Sequence, residues 1–335
     1  MKVKNDSFYL YKNNTREHGN NELVFGKHGQ GQTLFMKQEL RQFVTNQANN
    51  EKEHSQILVI DTCGEFLPIS NVAQGSIISV KNSGVDIFEK CVFIPEHKQF
   101  CSWGDKKNMA FDFAIALCEQ SYKKTLAAYE KSIIYNIVCR MYDDNDTAPT
   151  ISAFYNELAR LNNSVDINGI RRCIKPLCLL DNKAKEQIEN KFIVYDLHDF
   201  SKTYIGAAYI YCLLDVYQHI VENYQNGIKT YVYMDNIYNL FLFESSAYIL
   251  SHMWIQARML GASFLGVCND INVFKTMQGL KILMSTSNVC VFRLEIDDCI
   301  SLKELFCLSD EDVSLILNLS PGNGLLIRDE CVSLF

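Results

Sequence analysis

At 335 residues, with 48% apolar and 21% charged side chains, the chain has an ordinary soluble globular composition and enough length to bury a large core. Its net charge of −7 supplies no overall attraction to nucleic acid or to an anionic membrane, so direct DNA binding has no support in the composition.

In chain order, residues 1–22 are polar and weakly periodic apart from Phe8-Tyr9-Leu10-Tyr11. Leu23-Val24-Phe25 then predicts a short strand, and Gly26-Lys27-His28-Gly29-Gln30-Gly31-Gln32-Thr33 follows it. This is the frame of a phosphate-binding loop, G-x-x-x-x-G-K-[ST], whose backbone N–H groups surround phosphates while a lysine neutralises them and a hydroxyl meets magnesium. Both frame glycines and Thr33 are present, but neutral Gln32 stands at the lysine position. Leu34, Phe35, Leu40 and Phe43 predict a following helix with one apolar face, so the loop amides would sit at a helix N-terminus, where an anion is favoured.

Gln56 to Asp61 predicts a second buried strand ending in a carboxylate. The texture then changes: 107–120 and 126–142 predict helices, the second with Ile133, Ile134, Ile137, Val138 and Met141 on one face, and Pro149-Thr150 starts another through Phe154 and Leu158. Residues 90–190 therefore read as a helical insertion between core segments 1–89 and 191–335. Phe192 to Asp196, Thr230 to Asp235, Ser263 to Val267 and Val289 to Leu294 resume the strand pattern, with a helix from Ile205 to Tyr224. Strands alternating with long helices predict an α/β fold with a mostly parallel sheet covered on both faces. Its ligands belong at the carboxyl ends of the strands, where Gly26, Asp61, Asp196, Asp235 and Asn269 fall.

The 13 cysteines are scattered singly, no C-x-x-C pair occurs, and Cys173 and Cys178 lack nearby histidines. That spacing predicts reduced thiols acting as small hydrophobes and no structural metal. An odd count without a signal peptide is the pattern of a reducing cytoplasm. The longest apolar stretch, 205–221, is interrupted by Asp215, Gln218 and His219 and is too polar for a membrane span.

The ordered set of motifs resembles the C-terminal motor domain of the large conjugation ATPases of type IV secretion systems, the TraE/TraC-like branch of the FtsK–HerA superfamily. The likeness covers nearly the whole chain. Beyond the loop at 26–35, it rests on Asp61-Thr62-Cys63-Gly64-Glu65-Phe66 for the family's D-P-x-G-E-Y phrase. Tyr129 to Ile134, Pro149-Thr150-Ile151 and Phe154-Tyr155 match its helical insertion, and Tyr233-Met234-Asp235-Asn236-Ile237-Tyr238 its acidic strand. Arg258-Met259-Leu260-Gly261, Leu265 to Asp270, Leu308 to Asp312 and Gly322 to Ile327 complete it. The family's large N-terminal domain has no counterpart here; a stand-alone protein and an excised domain both fit.

The resemblance implies a RecA-like P-loop NTPase fold, with Gly26, Lys27, Gly29, Gly31, Gln32 and Thr33 around ATP and with Thr33 and Asp235 on magnesium. It also marks departures. Gln32 carries no charge, Asn236 replaces the glutamate that would polarise the attacking water, and Asn269 shortens the glutamine that would sense the γ-phosphate. Arg258 matches a position for an arginine finger across a subunit contact, against the plain reading of a solvated helix arginine. Glu65 has a family counterpart and is a candidate substitute base; Lys27 is a candidate for reaching a partner's nucleotide, and His28 for a weak donor. The expectation is a non-hydrolysing assembly or regulatory module of a conjugative transfer system, with weak or absent ATP and magnesium binding. Alternatives are a working deviant ATPase powering DNA or protein transfer and a nucleotide sensor without turnover. The family's hexamers, channel partners and place at the inner membrane face imply a cytoplasmic or peripheral location.

Overall fold

The computed structural model describes residues 20–49, 54–80, 106–143, 149–161, 165–180, 190–328 and 331–335. The expectations at 1–19, 90–105, 144–148, 162–164 and 181–189 lie outside the described residues.

Among the described residues, nine strands form one sheet: β1 (Glu22–Phe25), β2 (Ser55–Asp61), β3 (Ser76–Ser79), β4 (Phe192–Asp196), β5 (Lys229–Met234), β6 (Ala262–Cys268), β7 (Asn288–Val291), β8 (Leu325–Arg328) and β9 (Cys331–Leu334). Their spatial order is β3-β4-β2-β5-β6-β1-β7-β8-β9. In that order the pairings from β3 through β7 are parallel, whereas β7–β8 and β8–β9 pair antiparallel. The register aligns the strand ends: Asp61 lies opposite Asp196, Ile60 opposite Met234, and Phe25 between Cys268 and Val291. One edge of the sheet therefore collects every loop that follows these strands.

Side-chain alternation divides the strands between two cores. Leu58, Ile60, Ile193, Tyr195, Val232 and Met234 face the larger core, whereas Ile57, Val59, Phe192, Val194, Tyr231 and Tyr233 face the smaller. The smaller face is covered by α1 (Gln32–Asn49), through Phe35, Met36 and Leu40, and by Ile69 of the short α2 (Leu67–Val72). The larger face carries α3 (Lys106–Tyr122), α4 (Ala128–Asp143), α5 (Ile151–Arg160), α6 (Val165–Ile174), α7 (Ile205–Gln225) and α8 (Glu244–Gln256). Further along lie α9 (Met277–Met284), α10 (Ile296–Phe306) and α11 (Asp310–Leu317). Apolar all round over most of its length, α7 lies buried in the larger core, as such a helix must.

Among the described residues, 106–180 hold helices and no strand. The predicted face of α4 is buried at Ile134, Ile137, Val138 and Met141, and Thr150 caps α5 by accepting from Ala153 N at 3.0 Å. The expected strand through Leu294 is shorter, ending at Val291. The two chains stay joined a little further, Phe292 N donating to Phe25 O at 2.8 Å and Lys27 N to Arg293 O at 3.0 Å, before the chain enters the glycine loop.

The entry to β1 is fixed by Asn21, whose side chain is 2% exposed. Its amide donates to Trp254 O at 2.7 Å and Ser285 O at 3.0 Å, and its carbonyl accepts from Phe264 N at 3.0 Å. These bonds tie β1 to β6 and to the ends of α8 and α9. Asn21→Ala would leave buried backbone groups unpaired and should cost about 2–4 kcal/mol, read as a lowered denaturation midpoint at unchanged slope.

Candidate functional site

The loop between β1 and α1 has the backbone of a phosphate cradle. Gly29 and Gly31 take φ of +81° and +120°, values that L side chains rarely adopt. At Gly31 space adds to the constraint, since a Cβ would lie 3.1 Å from Gly322 Cα. Phe35 N donates to Gly31 O at 2.8 Å, which opens α1 and leaves the amides of Gln32, Thr33 and Leu34 without partners within the helix. Gly322 N, from the loop before β8, donates to Gln30 O at 2.9 Å and holds the cradle from behind.

Gln32 is 4% exposed and folds back into its own loop. Its Nε2 donates to Lys27 O at 3.0 Å and lies 3.5 Å from Asn269 Oδ1. A Cβ on Gly26 would meet that nitrogen at 2.6 Å, so the glycine makes room for the amide. Two expected positions, 32 and 269, thus meet, but they meet each other. Lys27 forms an ion pair with Glu295, and His28 is exposed.

Three strands from β1, Asp61 is fully buried at the end of β2 and organises the next loop. Its Oδ1 accepts from Cys63 N at 3.1 Å, Gly64 N at 2.9 Å and Glu65 N at 3.1 Å, and its Oδ2 from Phe66 N at 2.7 Å. Burial pushes its carboxyl above the ordinary range, and these amides pull it back. The loop so held delivers Thr62, whose hydroxyl donates to Asp235 Oδ2 at 2.6 Å. Asp235 is 9% exposed, and its carboxyl is also raised by burial, against the Thr62 bond and with the help of the Asp61 and Glu65 charges. Tyr209 supports the same strand end by donating to Asp235 O at 2.8 Å.

Asn236 has φ 52° and ψ 58°, a left-handed conformation that asparagine tolerates better than most residues. Glu65 pairs with Lys37 of α1 at 2.5 Å. Arg258 is exposed just ahead of β6, at the amino end of the strands and so at the edge opposite the loop. The hydroxyl of Thr33 and the carboxylate of Asp235 are hard oxygen donors that suit magnesium alongside phosphate oxygens. Among the described residues no cluster of three His, Cys, Asp or Glu side chains could hold a metal by itself.

Neither Lys37 nor His198 stands out in the sequence, because each is defined by a contact with a distant loop. His198 Nδ1 lies 2.7 Å from both oxygens of Asp196, and its Nε2 lies 3.2 Å from Asp199 Oδ1. Only the imidazolium can donate at both nitrogens. The ring lies against Gly64, where a Cβ would approach it to 3.3 Å. The Asp196 hydrogen bond and charge raise the histidine above its ordinary 6.5.

The described cysteines are free; Cys118, Cys212, Cys268, Cys290 and Cys299 are buried, while Cys63, Cys307 and Cys331 are exposed. Among the described residues no helix is long and apolar enough to cross a membrane.

A parallel sheet with a glycine loop and helix after one strand and a buried aspartate after another defines a P-loop NTPase fold. No protein-family model matches the chain, and no curated protein matches it either. Solved structures do. VirB4 of Thermoanaerobacter pseudethanolicus superposes with a TM-score of 0.77 at 15% identity, covering 94% of this chain and 88% of that one. The plasmid coupling protein TrwB, solved in complex with ADP and Mg2+, gives 0.64 at 11% identity, covering 94% and 84%. An unbound form of this bacterial conjugative coupling protein gives 0.61 at 10% identity over the same shares. At these identities the likeness is one of fold, and it agrees with the resemblance carried by the motifs.

Because folding raises the His198 value, its stabilisation is fully present below pH 6.5 and is lost as pH rises through the folded-state value. Between about pH 6 and about pH 9 the wild type should lose a small increment of stability that His198→Gln lacks, small because the ring is solvent-screened. Denaturant titrations of both proteins at the two pH values read the difference.

Proposed function

We propose that this chain is a type IV secretion or conjugation ATPase-like protein that does not hydrolyse ATP and serves as an assembly or regulatory module of a conjugative transfer system. The observation that carries this reading is the Gln32 amide, which bonds Lys27 O and reaches Asn269 where a lysine would reach phosphate. A lysine offers charge-assisted bonds of about 1.5–3 kcal/mol each, whereas the amide offers a neutral donor already engaged. At 236 the side chain cannot take a proton from water. Most of the rate in phosphoryl transfer comes from charge stabilisation and positioning, and losing one such group costs on the order of 10²–10³.

The site retains a receptor for weak binding. Thr33 and Asp235 would hold magnesium, which when bound neutralises phosphate charge; Gly29, Gly31 and the opening turn of α1 would surround the phosphates. That TrwB was solved with ADP and Mg2+ supports a nucleotide as the ligand class. A sensor that binds nucleotide without turnover is the second reading, favoured by the intact Thr62–Asp235 pair. The division into a core of residues 1–89 and 191–335 and a helical insertion of 90–190 belongs to the same proposal, supported by the helix-only character of 106–180 among the described residues. So do channel components as partners, a ring of copies in which Arg258 faces a neighbour, and a location in the cytoplasm or at the inner face of the membrane.

Phosphate release from ATP with magnesium should stay at the background rate for the wild type and be unaltered by Asp235→Ala. Turnover that requires magnesium and disappears in Asp235→Ala would contradict the proposal and favour the working deviant ATPase.

A further inference from the structure

We propose that Lys37 supplies the cation for a bound phosphate in this chain, and that Glu65 competes with the phosphate for it. The inference rests on the reading of the cradle as a weak nucleotide site. It names the charge that such a site would use in place of the missing loop lysine.

The sheet order is the starting point. In β2-β5-β6-β1, the loop after β2 and helix α1 after β1 stand on either side of Asp235 after β5 and Asn269 after β6. Helix α1 lies on the smaller face over β5, where Phe43 packs on Tyr231 and Tyr233 donates to Glu39, and so its early turns stand beside the loop after β2. Lys37 joins the helix to that loop: its Nζ lies 2.5 Å from Glu65 Oε2 and 5.6 Å from the centre of the Phe66 ring. Lys27, by contrast, is drawn to Glu295 after β7, on the other side of β1.

Helix geometry aims Lys37 at the cradle. It lies four residues after Thr33, on the same face, and helical side chains lean toward the N-terminus. The flexible four-carbon stem of a lysine brings its ammonium back over the turn that carries Thr33. Phe66 supports the ammonium from the loop side.

Electrostatics gives the ammonium its purpose. The Asp61 and Glu65 charges oppose ionisation of Asp235 at this edge, so an incoming polyphosphate meets carboxylates first. Lys37 is 23% exposed and paired, while Glu65 is 47% exposed. The exposed partner can swing into solvent and release the ammonium to a phosphate oxygen. Phosphate binding must then displace Glu65, which makes affinity low by construction and makes the two residues act in opposite directions.

Titration of wild type, Lys37→Met, Lys37→Arg and Glu65→Gln with ATP and magnesium, by calorimetry or ligand-detected NMR, tests this. Lys37→Met should weaken binding about tenfold or more, Lys37→Arg should largely preserve it, and Glu65→Gln should tighten it about threefold or more. A purely structural ion pair would make Lys37→Met and Glu65→Gln fail alike, and that result overturns the inference. So does wild-type binding that Lys37→Met leaves unchanged. If neither the wild type nor Glu65→Gln binds, the reading of the cradle as a nucleotide site falls, and this inference falls with it.

Discussion

The arrangement at the carboxyl edge of the sheet depends on one buried carboxylate. Asp61 gathers the amides of residues 63–66 onto its two oxygens and so fixes the loop after β2. Without that anchor Thr62 would not reach Asp235, Glu65 would not meet Lys37, and Gly64 would not offer its bare face to His198. The two oxygens of the buried aspartate satisfy backbone donors of the turn that have no ladder partner.

That edge has the form of a P-loop site with a different set of side chains on it. In an energy-transducing P-loop site, positive charge sits in the loop and a carboxylate stands ready to accept a proton from water. Here the loop is closed by a neutral amide, and the residue after Asp235 is an asparagine held in the left-handed region. The carboxylates that remain are engaged: Asp61 with backbone, Asp235 with Thr62, Asp196 with His198 and Glu65 with Lys37. On the proposed reading, scaffolding and catalysis separate because the glycines and strand ends are required by backbone geometry, whereas a lysine or glutamate is required only by the substrate.

Much of the fold could be read from the sequence, for physical reasons. Runs such as 57–60 and 192–195 are apolar throughout and are followed by aspartate, the signature of a strand buried on both faces whose ligand edge lies at its carboxyl end. The short α2, β3 (Ser76–Ser79) and the antiparallel pair β8–β9 escaped because four to six residues are too few to show a period, and β3 and β8 are placed by pairing with β4 and β7, distant in the chain. At the site, the cradle was visible because its residues are contiguous. The role of Asp61 as a loop anchor, the bonds of Asn21 and the Lys37–Glu65 pair were not, since each joins side chains to groups whose proximity only the folded sheet creates.

The most direct measurement of the central claim, an intact cradle that has lost its charges, is nucleotide binding by the double variant Gln32→Lys with Asn236→Glu beside the wild type. Restoring a cation to a competent loop should raise affinity for ATP with magnesium by about tenfold or more, even after about 1 kcal/mol of strain at the left-handed position 236. No gain in the folded double variant would contradict the account, because it would mean that the geometry of the loop has been lost along with its lysine.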